Sequence, residues 1–108
     1  MRMLLKFVFD TEAANDSIRT GEMAEVNRIL AENTRPEAAY YGTENGKRTG
    51  YIFFDLEDPS RIPVIAEPLF QRVKSTVEFI PVMNDDDLQQ GLAARREPPD
   101  SCRLTSDP

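Results

Sequence analysis

Histidine is absent from this chain, and cysteine occurs once, at Cys102. Without His the side chain that most often acts as a general base near neutral pH is missing, and so is the commonest metal ligand. A single thiol excludes an internal disulfide and a thiolate metal cluster. Neither a cofactor nor a metal is expected. No stretch approaches the ~18 apolar residues of a membrane span. The N-terminal run is interrupted by Lys6 and ends at Asp10, too short for the apolar region of a signal peptide. A cytoplasmic location and no membrane partner follow as expectations. Basic charge is also short: 13 Lys and Arg stand against 19 Asp and Glu, a net charge of -6. That balance disfavours phosphate-backbone binding, so no nucleic-acid partner is expected. The glycines form no G-x-G-x-x-G or Walker spacing.

What remains is enough for a core. The chain has 108 residues, 40% apolar and 30% charged, which fits one packed domain and is too apolar for a disordered chain. Residues 2–10 alternate at period two, with Met3, Leu5, Phe7 and Phe9 on one face and Leu4, Lys6, Val8 and Asp10 on the other, so a strand is expected there. Residues 11–34 read as helical, with Met23, Val26, Ile29 and Leu30 on one side. Thr11 or Asp16 could cap the start, and Gly21 breaks a short leading piece from the main helix. Arg35-Pro36 closes the segment. Residues 37–56 read as a hairpin about Asn45-Gly46, the strongest short hairpin signal. Residues 57–73 form a further helix after the Asp58-Pro59-Ser60 turn, with Ser60 as its cap; Pro68 is expected to kink or split it. Residues 74–84 read as the last strand, in which Pro81 leaves one side unpaired. Asp85-Asp86-Asp87 opens a short helix over Leu88–Ala94, as acidic residues suit a helix start. The domain is thus 1–94, followed by a Pro-rich flexible C-terminal tail, 95–108.

The order β-α-β-β-α-β is the split βαβ pattern of an α+β, ferredoxin-like protomer: a four-stranded antiparallel sheet with two helices on one face. The other face would carry bulky apolar groups, and a patch of that kind marks an association surface. A homodimer packed sheet on sheet is the expectation.

Several polar residues sit where chemistry could occur, each beside a plainer reading. Lys6, near Asp10 on the mixed face of the first strand, could bind an anion or act as a base; a peripheral ion pair is the alternative. Tyr40 and Tyr51, with Tyr41, lie on the hairpin, where a phenol can donate to a ligand or act as an acid; packing at a strand end is the alternative. Glu67 precedes Pro68, where a broken helix could line a pocket; the alternative is a surface carboxylate. Glu78 lies among Val77, Phe79 and Ile80 and could be a buried carboxylate; the alternative is a salt bridge across a dimer. Arg48 could clamp a carboxylate or be a solvated turn cation. The Asp85–Asp87 run lacks the spaced ligands and turn glycine of a calcium loop. Cys102 has no histidine partner to activate it.

The segments Glu37-Ala-Ala-Tyr-Tyr, Asn45-Gly-Lys-Arg-Thr-Gly-Tyr, Asp58-Pro-Ser-Arg-Ile-Pro-Val-Ile-Ala-Glu-Pro-Leu-Phe and Val77-Glu-Phe-Ile-Pro-Val-Met-Asn-Asp-Asp-Asp-Leu together resemble a family of short uncharacterised bacterial proteins in the dimeric α+β barrel superfamily. The resemblance spans roughly residues 3–93. It implies a ferredoxin-like protomer paired through its sheet, and it brings no catalytic residues to carry over. The wider superfamily includes cofactor-free monooxygenases, muconolactone-type isomerases, haem enzymes and non-enzymatic dimers. The haem branches use a histidine ligand, which this chain lacks, and fold alone does not choose among the others. Two functions follow as expectations. One is a non-catalytic dimeric module with a filled interior. The other is a cofactor-free enzyme or binding protein for a small apolar or aromatic ligand, held in a cavity lined by a few polar groups such as Lys6, Tyr40, Tyr51, Glu67 and Glu78.

Overall fold

The computed structural model describes residues 1–95. Of the expected tail only Arg95 is included; 96–108, with Cys102, lie outside the described residues. The fold is α+β. Strand β1 (Arg2–Val8) is followed by helices α1 (Thr11–Thr20) and α2 (Glu22–Thr34), the hairpin strands β2 (Ala38–Glu44) and β3 (Lys47–Asp55), helix α3 (Arg61–Val73), strand β4 (Thr76–Pro81) and helix α4 (Asp85–Ala94). The strands form one antiparallel sheet in the order β2-β3-β1-β4, compatible with a ferredoxin-like fold.

Side chains alternate across a sheet, so the register divides them into two sets. Met3, Leu5 and Phe7 on β1 stand opposite Phe54, Ile52 and Gly50 on β3 and opposite Pro81, Phe79 and Val77 on β4. This face is covered. Its residues join Ala14 of α1, Val26 and Leu30 of α2, and Ile65, Leu69 and Val73 of α3 in one core. The expected face of Met3, Leu5, Phe7 and Phe9 is buried along its whole length.

Gly50 is where this packing is tightest. A Cβ there would lie 2.2 Å from Phe7 Cζ. Phe7 is fully buried, and its ring packs against Phe9 with centroids 5.4 Å apart, so it has nowhere to move. Only glycine lets the ring lie against the β3 backbone.

Local chemistry explains the element ends, with some corrections to the sequence reading. The cap of α1 is Asp10, whose carboxylate accepts from the Ala13 N–H at 3.0 Å; neither Thr11 nor Asp16 takes that place. Gly21, at φ 84, joins α1 to α2 as expected of a break. The hairpin turn has positive φ at both Asn45 (52) and Gly46 (76), the requirement of a type I′ turn. Ser60 stands at the start of α3 without making a side-chain cap; the carboxylate of Asp58 instead accepts from the Ser60 N–H at 2.9 Å. α3 runs unbroken through Pro68. The carbonyl that this proline cannot serve belongs to Val64, which is exposed, so water can satisfy it.

The two helices of the βαββαβ pattern stand as three, because Gly21 divides the first as expected, and α4 is the short helix expected after the last strand. α4 begins at Asp85 rather than Leu88. Asn84 and Asp87 form a reciprocal capping box at its start. α4 buries none of its residues, and Leu88 and Leu92 are 40% and 50% exposed. The Asp85–Asp87 run is therefore a helix start. Among the described residues no three metal-ligating side chains stand together, and none of the helices there is long and apolar enough to cross a membrane.

Gly50→Ala should overpack the core and cost about 1–3 kcal/mol. Denaturant unfolding monitored by circular dichroism reads this directly. An unchanged midpoint would mean that Phe7 has room to turn aside.

Candidate functional site

Among the described residues, no helix packs on the second face of the sheet. Across it run two rows set by the register. Ala38, Phe53, Leu4 and Ile80 form an apolar row; Tyr40, Tyr51, Lys6 and Glu78 form a polar one beside it. Leu4, Lys6, Tyr51 and Phe53 are half-buried, shielded only by each other and their neighbours. Lys6 is the centre of the polar row. Tyr51 on β3 and Glu78 on β4 stand directly opposite it.

Glu44 completes this group. It ends β2 on the same face as Tyr40 and reaches back along the sheet. The Lys6 ammonium lies 2.7 Å from Glu44 Oε1 and 4.0 Å from Glu78 Oε1. The Tyr51 hydroxyl donates to Glu44 Oε2. One carboxylate thus binds a cation and a phenol at once. Lys6 retains 23% side-chain exposure and Glu44 35%, against 55% for Glu78, so Glu78 is the loosest member.

The titrations of Lys6, Glu44 and Tyr51 are displaced away from neutrality. Lys6 is held above its ordinary range by its hydrogen bond to Glu44, against the opposing effect of burial. Glu44 is lowered by hydrogen bonds from Lys6 and then Tyr51. Tyr51 is raised by its hydrogen bond to Glu44, and burial adds to this. A general acid or base works best with a pKa near the working pH. Here the cluster is fixed as ammonium, carboxylate and neutral phenol, an arrangement suited to holding shape and charge rather than to moving a proton.

Of the five residues singled out from sequence, the structure brings Lys6, Tyr51 and Glu78 together. Tyr40 borders them, paired across the strands with Tyr51 but 64% exposed. Glu67 does not join them. It lies on the outer side of α3, beyond the covered face, where its carboxylate accepts from the Gln71 amide at 3.1 Å. Its neighbour Pro68 opens no pocket there, because α3 is not broken. Asp10 is likewise spent on its helix cap rather than on Lys6. Arg48 donates to Asn15 Oδ1 on α1 at 2.9 Å, tying the hairpin to the helix layer. Glu44 is the member not singled out from the sequence. Its signal was the period-two series Tyr40, Gly42, Glu44, which continues the open face to the last residue of β2.

Clefts of about 440 and 350 Å³ lie elsewhere, and neither includes a residue of this cluster. Comparison of the chain with protein-family models, with curated proteins and with solved structures finds no match.

The pH dependence of stability follows from these directions. The raised Lys6 and Tyr51 contribute stability that is present below their ordinary values of 10.5 and 10.0 and is lost as pH rises through the folded values. The lowered Glu44 contributes stability present above 4.5 and lost as pH falls through its folded value. Thermal melts across pH should therefore show a plateau between acid and alkaline limbs. Glu44→Gln should shrink both limbs at once, since Lys6 and Tyr51 lose their shared acceptor. Glu25 and Asp58, also lowered, keep part of the acid limb. Limbs unchanged in the variant would show that the cluster does not hold its charges as described.

Proposed function

We propose that this chain is a non-catalytic module that works as a homodimer, two ferredoxin-like protomers of the dimeric α+β barrel type packed through their open sheet faces. The observation that carries this reading is the open face itself. An apolar row of Leu4, Phe53 and Ile80 lies beside a charge network in which Lys6, Glu44 and Tyr51 are displaced from neutral titration.

The choice of a second copy rests on the charge pattern. The face holds Lys6 close to Glu44 and Glu78, and Arg2 close to Glu37 and Asp87. A two-fold partner presents the same patch inverted, so a surface with both signs complements itself. Glu78, only 4.0 Å from Lys6 and largely exposed, is the group with capacity left for a cation across the interface. α4, with Leu88 and Leu92 unburied, would cover the rim. Arg2 holds its start: Arg2 Nη1 lies 3.6 Å from Asp87, and Arg2 Nε also pairs with Glu37. The non-catalytic part of the reading is supported by the Lys6, Glu44 and Tyr51 cluster, held away from neutral titration, and by the tight packing of Phe7 against Gly50.

Light scattering tests this. The chain should run as a dimer at micromolar concentration, and Phe53→Glu should make it monomeric while leaving circular dichroism unchanged. The side chain of Phe53 points away from the helices, so a charge there spares the core, whereas one at Phe7 would not. A monomeric parent protein would overturn the proposal.

A further inference from the structure

At one end of the sheet, the last turn of α2, the end of β3 and the start of α3 enclose a cleft of about 440 Å³. Its walls carry four carboxylates and two guanidinium groups: Glu32, Glu37, Asp55 and Glu57, with Arg35 and Arg61. The carboxylates outnumber the cations, but three of them are engaged from outside the cleft, two by arginines that also serve Glu25 and Asp87. Glu32 is bound by Arg28 at 2.6 Å. Glu37 takes Arg2 Nε on both oxygens at 3.2 Å. Asp55 accepts from the N-terminal ammonium at 2.9 Å. Only Glu57 is left without such a partner.

The arginines are in the opposite condition. Neither the Arg35 nor the Arg61 side chain makes a hydrogen bond or ion pair with any described residue; only their backbone N–H groups donate, to the Ala31 and Asp58 carbonyls. Glu57 lines the same cleft and still pairs with neither. An acidic protein that uses Arg2, Arg19, Arg28 and Arg72 in ion pairs leaves these two open on one cleft. Arg35 is also held in a conformation that an unbranched L residue seldom takes, φ 47 and ψ 66, immediately before Pro36. Such a position persists when its surroundings fix it. Asn33 lines the same wall half-buried, with its side-chain amide unpartnered. Leu56 and Ile65 provide the floor.

A guanidinium presents a planar fork of N–H donors that matches two oxygens of a carboxylate or phosphate. Two such forks and an amide line this small cleft as donors to which none of its own carboxylates is bonded. We propose that this cleft binds a compact organic dianion, held by Arg35 and Arg61 as two forks with Asn33 as a further donor. The site lies apart from Lys6, Glu44, Tyr51 and Glu78, so it does not depend on how the open sheet face is covered. The shared chemistry is that of a dicarboxylate or a phosphomonoester, and two probes separate them.

The test is an amide NMR titration of the whole chain with succinate and, separately, O-phosphoserine, at constant ionic strength set with chloride. Saturable shifts are expected at Thr34, Arg35, Leu56 and Arg61, with a dissociation constant of about 1 mM or tighter. The probe that binds more tightly identifies the class. Arg61→Gln and Arg35→Asn should each weaken binding by about tenfold or more; Asn suits the left-handed backbone at position 35. Lys74→Gln, in the other cleft, should leave it unchanged. The spectra of the free variants report that each is folded, and the shift map of the parent chain locates the site without any variant. No saturable shift with either probe, shifts centred elsewhere, or full binding by both arginine variants would overturn the proposal.

Discussion

The ring of Phe7 lying against the bare backbone of Gly50 fixes how β1 meets β3. Side chains on a strand alternate, so a slip of one residue would send every inward group to the other face. The contact permits no such slip, because any residue other than Gly at that point would meet the ring. The same register that seats Met3, Leu5 and Phe7 in the core places Lys6 against Tyr51 and Leu4 against Phe53 on the far side. Core and open face are thus two consequences of one alignment. β1 lies between β3 and β4, so the alignment also decides which carboxylate of β4 faces Lys6.

Charge is handled in two ways on this small molecule. On the open sheet face, Lys6, Glu44 and Tyr51 satisfy one another, and the result is a fixed pattern of charge. At the cleft between α2 and α3, carboxylates are satisfied from outside and the guanidinium groups are left without acceptors. A satisfied cluster resists change of protonation, whereas unsatisfied donors leave capacity for a ligand. The two places therefore suit different tasks, one association and the other recognition of an anion.

Much of the framework was legible in the sequence because its signals are local. Period-two alternation marked β1 and β3, Asn45-Gly46 marked the hairpin, and Gly21 marked the division of the first helical segment. Errors arose where several local solutions compete for one role. A cap can come from any nearby acceptor, and Asp10 was better placed than Thr11 or Asp16. A proline inside a helix need not break it when the orphaned carbonyl is open to water, as at Val64. Three of the five site candidates, Lys6, Tyr51 and Glu78, were brought together, since residues on one strand face stay on that face. Glu67 was separated from them because α3 packs on the opposite side of the sheet.

The sequence by itself determined the elements and the apolar stripe of each one, because alternation and helical spacing are properties of neighbouring residues. It also determined the absence of histidine chemistry, since no fold can supply a missing side chain. Only the tertiary structure decided that Glu44 meets Lys6 and Tyr51, for those residues stand on three different strands and their distances depend on pairing and register. Only the tertiary structure, too, left Arg35 and Arg61 together without acceptors. Whether a charge is paired depends on every carboxylate that the folded chain brings within about 4 Å, and residues at positions 2, 28 and 37 that share no local pattern with the cleft settle that outcome.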